Sequence, residues 1–229
     1  MLQSDGANYE PLKTLGNLHI LKGAAYETRT RAKRKAFRRA LGYCEAAMMT
    51  SPAFARKVES GSPVWEAAEA LEDEHIEAIA FWATALFYQF DECLPKIAKP
   101  FNLRWIRRAE KMLKKAFSLD PDWGGGQLHF SYGIYYLMPA VVGGDMAKAK
   151  ACFDKAVATG PNWLLNRWGR AKYYCRCTGD RERFVNDLEW VIQHDPSETD
   201  GPPFWNVYCR QDARQLLSEV DRHFGRPDR

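Results

Sequence analysis

The stretch from His129 to Pro161, HFSYGIYYLMPAVVGGDMAKAKACFDKAVATGP, contains the pattern that decides the fold. In its second half, Ala149, Phe153 and Ala156 follow one another at intervals of four and three residues, and Pro161 comes five residues later. Residues spaced in this way lie on one face of an α-helix, and a small side chain there lets a neighbouring helix approach closely. Proline lacks the backbone N–H that continues a helix, so it ends one. The stretch therefore predicts two helices joined by a turn, the second ending near the proline.

The same spacing occurs in three further places along the chain. These copies are Ala40-Cys44-Ala47-Pro52, Ala109-Leu113-Ala116-Pro121 and Phe184-Leu188-Val191-Pro196. A second signature lies ahead of each of these helices: a tyrosine follows a small residue by three positions. Its members are Gly23 and Tyr26, Ala85 and Tyr88, Gly133 and Tyr136, and Ala171 and Tyr174. Each repeat is thus predicted as a helix A with a small contact point and a packing tyrosine, a turn, and a helix B.

This pattern resembles the tetratricopeptide repeat, and the resemblance implies an all-α fold. We expect an irregular tetratricopeptide-like solenoid of about four helix pairs with insertions and a C-terminal capping helix. A length of 229 residues, 46% of them hydrophobic and 27% charged, suits one globular domain with a sizeable core. The expected single domain covers 1–229, with repeats at about 12–52, 74–121, 127–161 and 163–196 and a cap at 205–224.

Two Gly-Asp pairs precede helix B in the last two repeats. Asp145, after Gly143 and Gly144, comes four residues before Ala149, and Asp180 comes four residues before Phe184. Glycines ahead of a helix can cradle a phosphate. No GK[ST] sequence follows, however, and no strand is predicted before them. Because aspartate is a strong helix N-cap and glycine permits a tight reversal, we interpret both pairs as turns that start a helix.

The sequence supports neither an enzyme nor a metalloprotein. The five histidines show no HExxH or other metal spacing, and Cys175 and Cys177 form the only close cysteine pair. No nucleophile lies in a recognisable motif beside a base. We therefore predict a non-enzymatic protein without catalytic residues, metal or cofactor. The longest apolar run, residues 78–87, is too short to span a bilayer.

The strongest charge feature is RTRAKRKAFRR at residues 29–39. Within it Arg31, Arg34, Lys35 and Arg38 can share one helix face, which we treat as a candidate partner-binding basic face. A solvated surface is the plain interpretation, and an acidic protein or anionic lipid headgroups are the alternatives. Nucleic acid is the least favoured partner, because no groove-reading motif accompanies the charges.

A longer succession of motifs narrows the family. It comprises WATALFY at 82–88, FSLDPDW at 117–123, the stretch quoted above, RAKYYCRCTGDRERF at 170–184, and LL-x3-D-x2-F after Asn206. From about residue 15 to 224 it resembles the T components of TRAP transporters. The resemblance implies a periplasmic accessory protein that binds the substrate-binding P subunit and self-associates, as a trimer. It also implies a lipoprotein, so membrane contact is expected only through a lipid anchor absent from this chain.

The resemblance also implies where a partner or ligand binds. In tetratricopeptide arrays the inward residues of helix A lie three before, one after and four after the small position. Here these positions select mainly apolar residues: Ile20, Trp82, Leu86, Phe130, Ile134, Leu137 and Trp168. They form either plain core or a hydrophobic crevice for a small organic ligand or a partner's side chains. The alternative functions are a cytosolic tetratricopeptide adaptor for a peptide or acidic partner, and an enzyme whose site assembles only in space.

Overall fold

The computed structural model describes residues 8–225, and most of them are helical. No strand occurs among these residues, although Trp163 and Asp200 form an isolated parallel bridge. The chain divides into two separately packed units, unit 1 (residues 1–121) and unit 2 (residues 122–229). The single domain expected over the whole chain stays a prediction, whereas the all-α class is confirmed.

Unit 1 contains the first two predicted helix pairs and the insertion between them. Its α-helices are α1 (Tyr9–Leu21), α2 (Thr30–Met48), α3 (Pro52–Glu59), α4 (Val64–Ala67), α5 (Ile76–Cys93) and α6 (Arg104–Leu119). A π-helical turn, Lys22–Tyr26, extends α1. The pairs predicted at 12–52 and 74–121 correspond to α1 with α2 and to α5 with α6.

Close contacts define the direction of the helices in unit 1. Gly23 near the end of the first helix lies against Phe37 of α2, where an added Cβ would come 2.5 Å from the ring. Glu45 near the end of α2 accepts a 2.8 Å hydrogen bond from Nε1 of Trp82. At the start of α2, Lys33 pairs with Glu92 at the end of α5. Neighbouring helices are therefore antiparallel, so the end of the first helix, the start of α2 and the end of α5 meet.

Unit 2 contains the other two predicted pairs and the cap. Its α-helices are α7 (Trp123–Tyr136), α8 (Met146–Thr159), α9 (Leu164–Gly169), α10 (Arg176–Thr178), α11 (Arg181–Gln193), α12 (Pro203–Ser218) and α13 (Val220–Phe224). A π-helical segment, Arg170–Cys175, joins α9 to α10, and together they form helix A of the fourth repeat. The cap expected at 205–224 is α12 followed by α13, with a break at Glu219.

The helix B pattern is fully buried in all four repeats. Each of its apolar positions is 0% exposed: Ala40, Cys44, Ala47, Ala109, Leu113, Ala116, Ala149, Phe153, Ala156, Phe184, Leu188 and Val191. The small residues do what their spacing predicts, because Gly133 of α7 lies against the ring of Phe153 with no room for a Cβ. The four-residue and three-residue intervals therefore mark the core of each unit.

The packing role predicted for the four tyrosines of helix A holds only in part. Tyr88 stacks on Phe37 with ring centroids 5.5 Å apart, and Tyr174 lies 5.8 Å from Phe153. Tyr136 is only partly buried, and it is the adjacent Tyr135 that is buried. Tyr26 is 63% exposed. It ends a π-helical turn, whose wider turn moves the residue away from the α-helical face expected from its spacing.

A buried ion cluster holds three helices of unit 2 together. Arg170 donates two hydrogen bonds of 2.8 Å to the carboxylate of Asp187 in α11 and a third, of 2.8 Å, to Asp154 in α8. Burial opposes the charge, but the bonds to Asp187 and Asp154 keep the pKa of Arg170 above its usual value. Removing one partner of a buried pair leaves an uncompensated charge, so this cluster fixes where helix A of the fourth repeat lies.

Candidate functional site

In unit 1 the predicted crevice residues lie in a closed core. Ile20 of α1 is 1% exposed, and Trp82 and Leu86 of α5 are 4% and 7% exposed. The indole N–H of Trp82 is also satisfied internally, by Glu45 of α2. A ligand reaches these three side chains only if the helices of unit 1 separate.

In unit 2 the capping helix covers the predicted crevice residue of helix A in the fourth repeat. Trp168 is 1% exposed, and its Nε1 donates a 2.7 Å hydrogen bond to Asp212 of α12. Lys172 donates to the same carboxylate oxygen at 2.9 Å, and its Nζ lies 4.7 Å from the centre of the Trp168 ring. Tyr208 of α12 meets Trp168 edge to face at 5.6 Å. Trp168 therefore binds the cap.

The remaining predicted crevice residues are partly exposed on α7 and just beyond its end. Phe130, Ile134 and Leu137 are spaced by four and three residues, so they share a face, which we name the α7 stripe. Phe130 lies against Gly169, where an added Cβ would come 2.0 Å from its ring. It also meets Tyr173 edge to face at 6.2 Å. Of the seven predicted residues, these three offer apolar surface to a solute.

The enlarged turn after α7 is closed by hydrogen bonds. Tyr135 donates its hydroxyl to the carbonyl of Val142 at 2.6 Å. Asp145 caps α8 by accepting the backbone N–H groups of Ala147 and Lys148 at 3.0 and 3.1 Å. The bond from Lys148, with that from Ala147, holds the pKa of Asp145 below its usual value, although desolvation opposes this. The structural interpretation of this glycine-rich turn fits these contacts.

The basic face of α2 is divided between two roles. Arg31, Lys35 and Arg38 are exposed. Arg34 is partly buried, and its Nη2 donates a 2.7 Å hydrogen bond to the carbonyl of Cys93 in the last turn of α5. Helix ends leave such carbonyls without a helical partner, so Arg34 completes α5. The sequence pattern places all four cations on one face but does not reveal this contact.

Unit 1 also has a polar depression that the sequence did not predict. Its volume is about 260 Å³, and its walls are Ser51, Pro52, Ala53, Arg56, Ala70, Glu72, Glu74 and His75. His75 is 3% exposed, its Nε2 lies 3.2 Å from the hydroxyl of Thr50, and burial lowers its pKa. Across residues 8–225 no three His, Cys, Asp or Glu side chains come together as a metal site.

The two closely spaced cysteines have different environments. Cys175 is buried, and desolvation raises its pKa to about 12, whereas Cys177 is exposed. Both are free thiols. Because the thiolate is the reactive form of cysteine, the buried residue is held in its unreactive state at neutral pH.

In the part of the chain that the structure describes, no helix is long and apolar enough to cross a membrane. The fold defines the class of protein, an all-α helical-repeat protein of the tetratricopeptide type. A solved structure of a thermophilic tetratricopeptide-repeat protein from Thermus thermophilus is similar over 93% of this chain and 98% of that one, with a TM-score of 0.51 and 17% identity. Identity this low shows the fold alone.

The sequence of residues 19–224 matches the family model of the TRAP transporter T-component, and the chain belongs to this family. The family resemblance seen in the motifs is therefore confirmed. Among curated proteins none matches the sequence. The family consists of accessory components of TRAP transport, and both the family and the fold are of non-catalytic kinds.

Proposed function

We propose that this protein is a non-enzymatic periplasmic accessory protein of a TRAP-type solute uptake system that binds the substrate-binding P subunit. The observation that carries the proposal is the family match over residues 19–224. In this role the chain supplies a binding surface, and the membrane subunits of the transporter supply the energy for uptake. The protein is proposed to be a lipoprotein, held at the membrane by a lipid anchor.

The α7 stripe is the proposed contact surface. Phe130, Ile134 and Leu137 are partly exposed apolar residues on one face, whereas Tyr132 and Tyr136, with their rings stacked at 6.0 Å, lie on the opposite face of the helix. Aromatic and aliphatic side chains that lose water on contact contribute most of the affinity at protein interfaces. A small apolar organic ligand is proposed to use the same stripe, beside Tyr173.

The position of the stripe is fixed on both sides, as a binding surface requires. Asp145 and Tyr135 hold the turn after α7, and the ion cluster of Arg170 holds the segment against which Phe130 packs. The stripe therefore meets its partner with little loss of conformational entropy.

Titration calorimetry between this chain and the P subunit of the same organism tests the proposal. We expect binding with a micromolar Kd, typical of a transient interface. Ile134→Asp and Leu137→Asp are expected to weaken it by at least about tenfold, because a carboxylate enters an apolar contact. Val207→Asp is the matched control, since Val207 is an exposed aliphatic residue, 44% exposed, on α12.

Loss of binding in the stripe variants alone supports the proposal. If the wild-type chain does not bind the P subunit, or if Val207→Asp weakens binding equally, the proposed partner or surface is wrong. Recovery of an acidic peptide through the basic face, without P-subunit binding, would instead favour the cytosolic adaptor. Light scattering during size-exclusion chromatography tests the proposed trimer, for which we expect a mass of three chains.

A further inference from the structure

Three exposed apolar side chains lie at one end of unit 1. Ile97 and Phe101, in the segment between α5 and α6, are each 82% exposed, and Tyr26, between α1 and α2, is 63% exposed. These segments lie at the same end because α1, α2 and α5 are antiparallel neighbours, as Gly23 against Phe37 and Lys33 beside Glu92 show. Neither the core of unit 1 nor the α7 stripe accounts for them.

Local structure holds these side chains outward. The segment from 94 to 103 contains two single-turn 3-10 helices, Lys96–Ala98 and Pro100–Asn102, and neither has a buried residue. Asn102 donates a 2.8 Å hydrogen bond back to the carbonyl of Ala98. The prolines at the start of each turn restrict the backbone. Ile97 and Phe101 therefore project from an ordered turn and are not directed towards the core.

The same end of unit 1 is rich in exposed cations. Arg31 and Lys35 lie on α2 on either side of Arg34, whose contact with Cys93 places the start of α2 beside the end of α5. Arg29, Lys96 and Arg104 are also exposed at this end. The nearby carboxylates are paired with further cations of the same end: Asp91 with Lys99, Glu92 with Lys33, and Glu27 with Lys22.

The charges at the helix starts are the reverse of the usual arrangement. A helix N-terminus carries a partial positive charge and is stabilised by Asp or Glu in its first turn. Both α2 and α6 begin at this end, and neither has an acidic residue in its first turn. At the opposite end, the residues just before α5 are the exposed Glu72, Asp73 and Glu74, and the exposed Arg56 lines the same depression as Glu72 and Glu74. The end that carries the exposed apolar side chains therefore also presents two helix N-termini whose first turns contain no acidic residue.

We propose that this end of unit 1 binds the surface of an anionic lipid bilayer. Its residues, the turn-end surface, are Tyr26, Arg29, Arg31, Lys35, Lys96, Ile97, Phe101 and Arg104. Tyr26, Ile97 and Phe101 enter the boundary between headgroups and acyl chains, and the cations meet the lipid phosphates. A combination of projecting apolar residues and surrounding Lys or Arg is what interfacial membrane binding requires.

Charge complementarity alone would also suit an acidic protein or a nucleic acid. The exposed apolar residues favour a lipid bilayer over these two partners. A free polyanion offers no apolar medium for Ile97 and Phe101, whereas a bilayer accepts them without needing matching pockets. The affinity of a peripheral protein is the sum of two contributions, burial of such apolar side chains and an attraction of the cations that salt weakens. This surface belongs to unit 1, so its role is separate from P-subunit binding by the α7 stripe.

Vesicle sedimentation with the full chain tests the proposal. The vesicles contain phosphatidylcholine alone, or phosphatidylcholine and phosphatidylglycerol in equal amounts. We expect partitioning into the anionic vesicles only. Ile97→Ser with Phe101→Ser should lower the partition coefficient by at least about tenfold. Arg31→Glu with Lys35→Glu should lower it by at least about 25-fold, because the loss of each cation alone removes a factor of about five and the new carboxylates are repelled.

Two controls separate this surface from general effects. Val141→Ser removes an aliphatic side chain that is 73% exposed in unit 2, and Lys111→Glu with Lys114→Glu reverses two exposed charges in the second half of α6. Both controls should bind vesicles as the wild type does, and circular dichroism should confirm that every variant is folded. Equal loss in the controls, or no binding of the wild type to anionic vesicles, would overturn the proposal. So would vesicle binding that survives Ile97→Ser with Phe101→Ser and is lost only on charge reversal, which indicates a polyanion site.

Discussion

Two enlarged turns join helix A to helix B, one in each unit, and they differ in how their residues are used. In the turn at 137–145, Val142 is buried, Tyr135 donates a hydrogen bond to its carbonyl, and Asp145 caps the next helix. In the turn at 94–103, Ile97 and Phe101 are exposed, and neither 3-10 helix buries a residue. The first turn buries one aliphatic side chain, Val142, and leaves Val141 exposed, whereas the second turn buries none and exposes both Ile97 and Phe101.

The comparison shows that an insertion in a helical repeat is not by itself a functional surface. The glycine-rich turn attracts attention in the sequence, yet its glycines serve close packing. An added Cβ at Gly144 would lie 1.6 Å from the carbonyl oxygen of Met138, and Gly143 has a φ of +101°. The less conspicuous turn, LPKIAKPFNL, carries the exposed apolar residues. Substitutions of the packed residues of the first turn, such as Gly144, should therefore change stability, and substitutions of Ile97 or Phe101 in the second should not.

The largest effect is expected for Gly144→Ala. Because the new methyl group overlaps with backbone, the turn must move, and we expect a loss of about 3 kcal/mol in the free energy of unfolding, measured in urea. Gly42→Ala is the control, since Gly42 lies within α2 and a Cβ there meets nothing within 4 Å. The control should gain up to about 1 kcal/mol. Equal stability of Gly144→Ala and wild type would mean that the turn is not packed as described.

A smaller loss is expected for Tyr135→Phe, which keeps the ring and removes the hydroxyl. The carbonyl of Val142 then lacks its 2.6 Å partner inside the protein, at an expected loss of about 1–2 kcal/mol. Tyr136→Phe, one residue along on the same helix and only partly buried, should change the free energy of unfolding by less. A larger loss in the free energy of unfolding for Tyr136→Phe than for Tyr135→Phe would contradict the role of Tyr135 in holding the turn.

Asp145 should make the stability of unit 2 depend on pH. Its folded-state pKa is lower than the unfolded value of about 3.8, so its contribution is fully present above that pH and is lost as the pH falls through the folded-state pKa. At neutral pH, Asp145→Ala should have a lower Tm than wild type, and Asp145→Asn, which can still cap the helix, should lie between them. The gap between wild type and Asp145→Ala should close in strongly acidic buffer. A gap independent of pH would exclude a role for the carboxylate charge.

The smallest effect is expected in the other turn. Ile97→Ser with Phe101→Ser removes two side chains that are 82% exposed, so the free energy of unfolding should change by less than about 0.5 kcal/mol. Urea unfolding of this double variant and of wild type, with the protocol used for Gly144→Ala, measures this change. A loss above about 1 kcal/mol would mean that these residues pack in the folded protein, and the two turns would then no longer differ in kind.

Much of the fold could be predicted from the sequence because burial on a helix follows a fixed period. The Ala149-Phe153-Ala156 face and its copies need only local spacing, and all of these positions are buried as expected. Prolines after α6, α8 and α11 likewise mark helix ends. A proline ends a helix through its own missing N–H, so its effect needs no contact with distant residues. Pro52 has a different role: it lies in the first turn of α3, after α2 has already ended.

The candidate site was less predictable because it depends on contacts between residues far apart in the sequence. Nothing near Trp168 indicates that Asp212 covers it, and nothing near Arg170 indicates its bonds to Asp187. The spacing that selects the inward residues of helix A selects Ile20 and Phe130 alike. Only the packing of neighbouring helices decides that the first is buried and the second partly exposed. The spacing of Gly23 and Tyr26 is the same as in the other repeats, so it does not predict the π-helical turn that exposes Tyr26.

Hydrogen–deuterium exchange with and without the P subunit tests the central claim most directly, because it reports partner and location together. Binding should slow exchange in the second half of α7, around Ile134 and Leu137, and leave the turn at 94–103 unchanged. Protection confined to other segments, or no protection at saturating P subunit, would contradict the account of this protein as a TRAP accessory that binds through the α7 stripe.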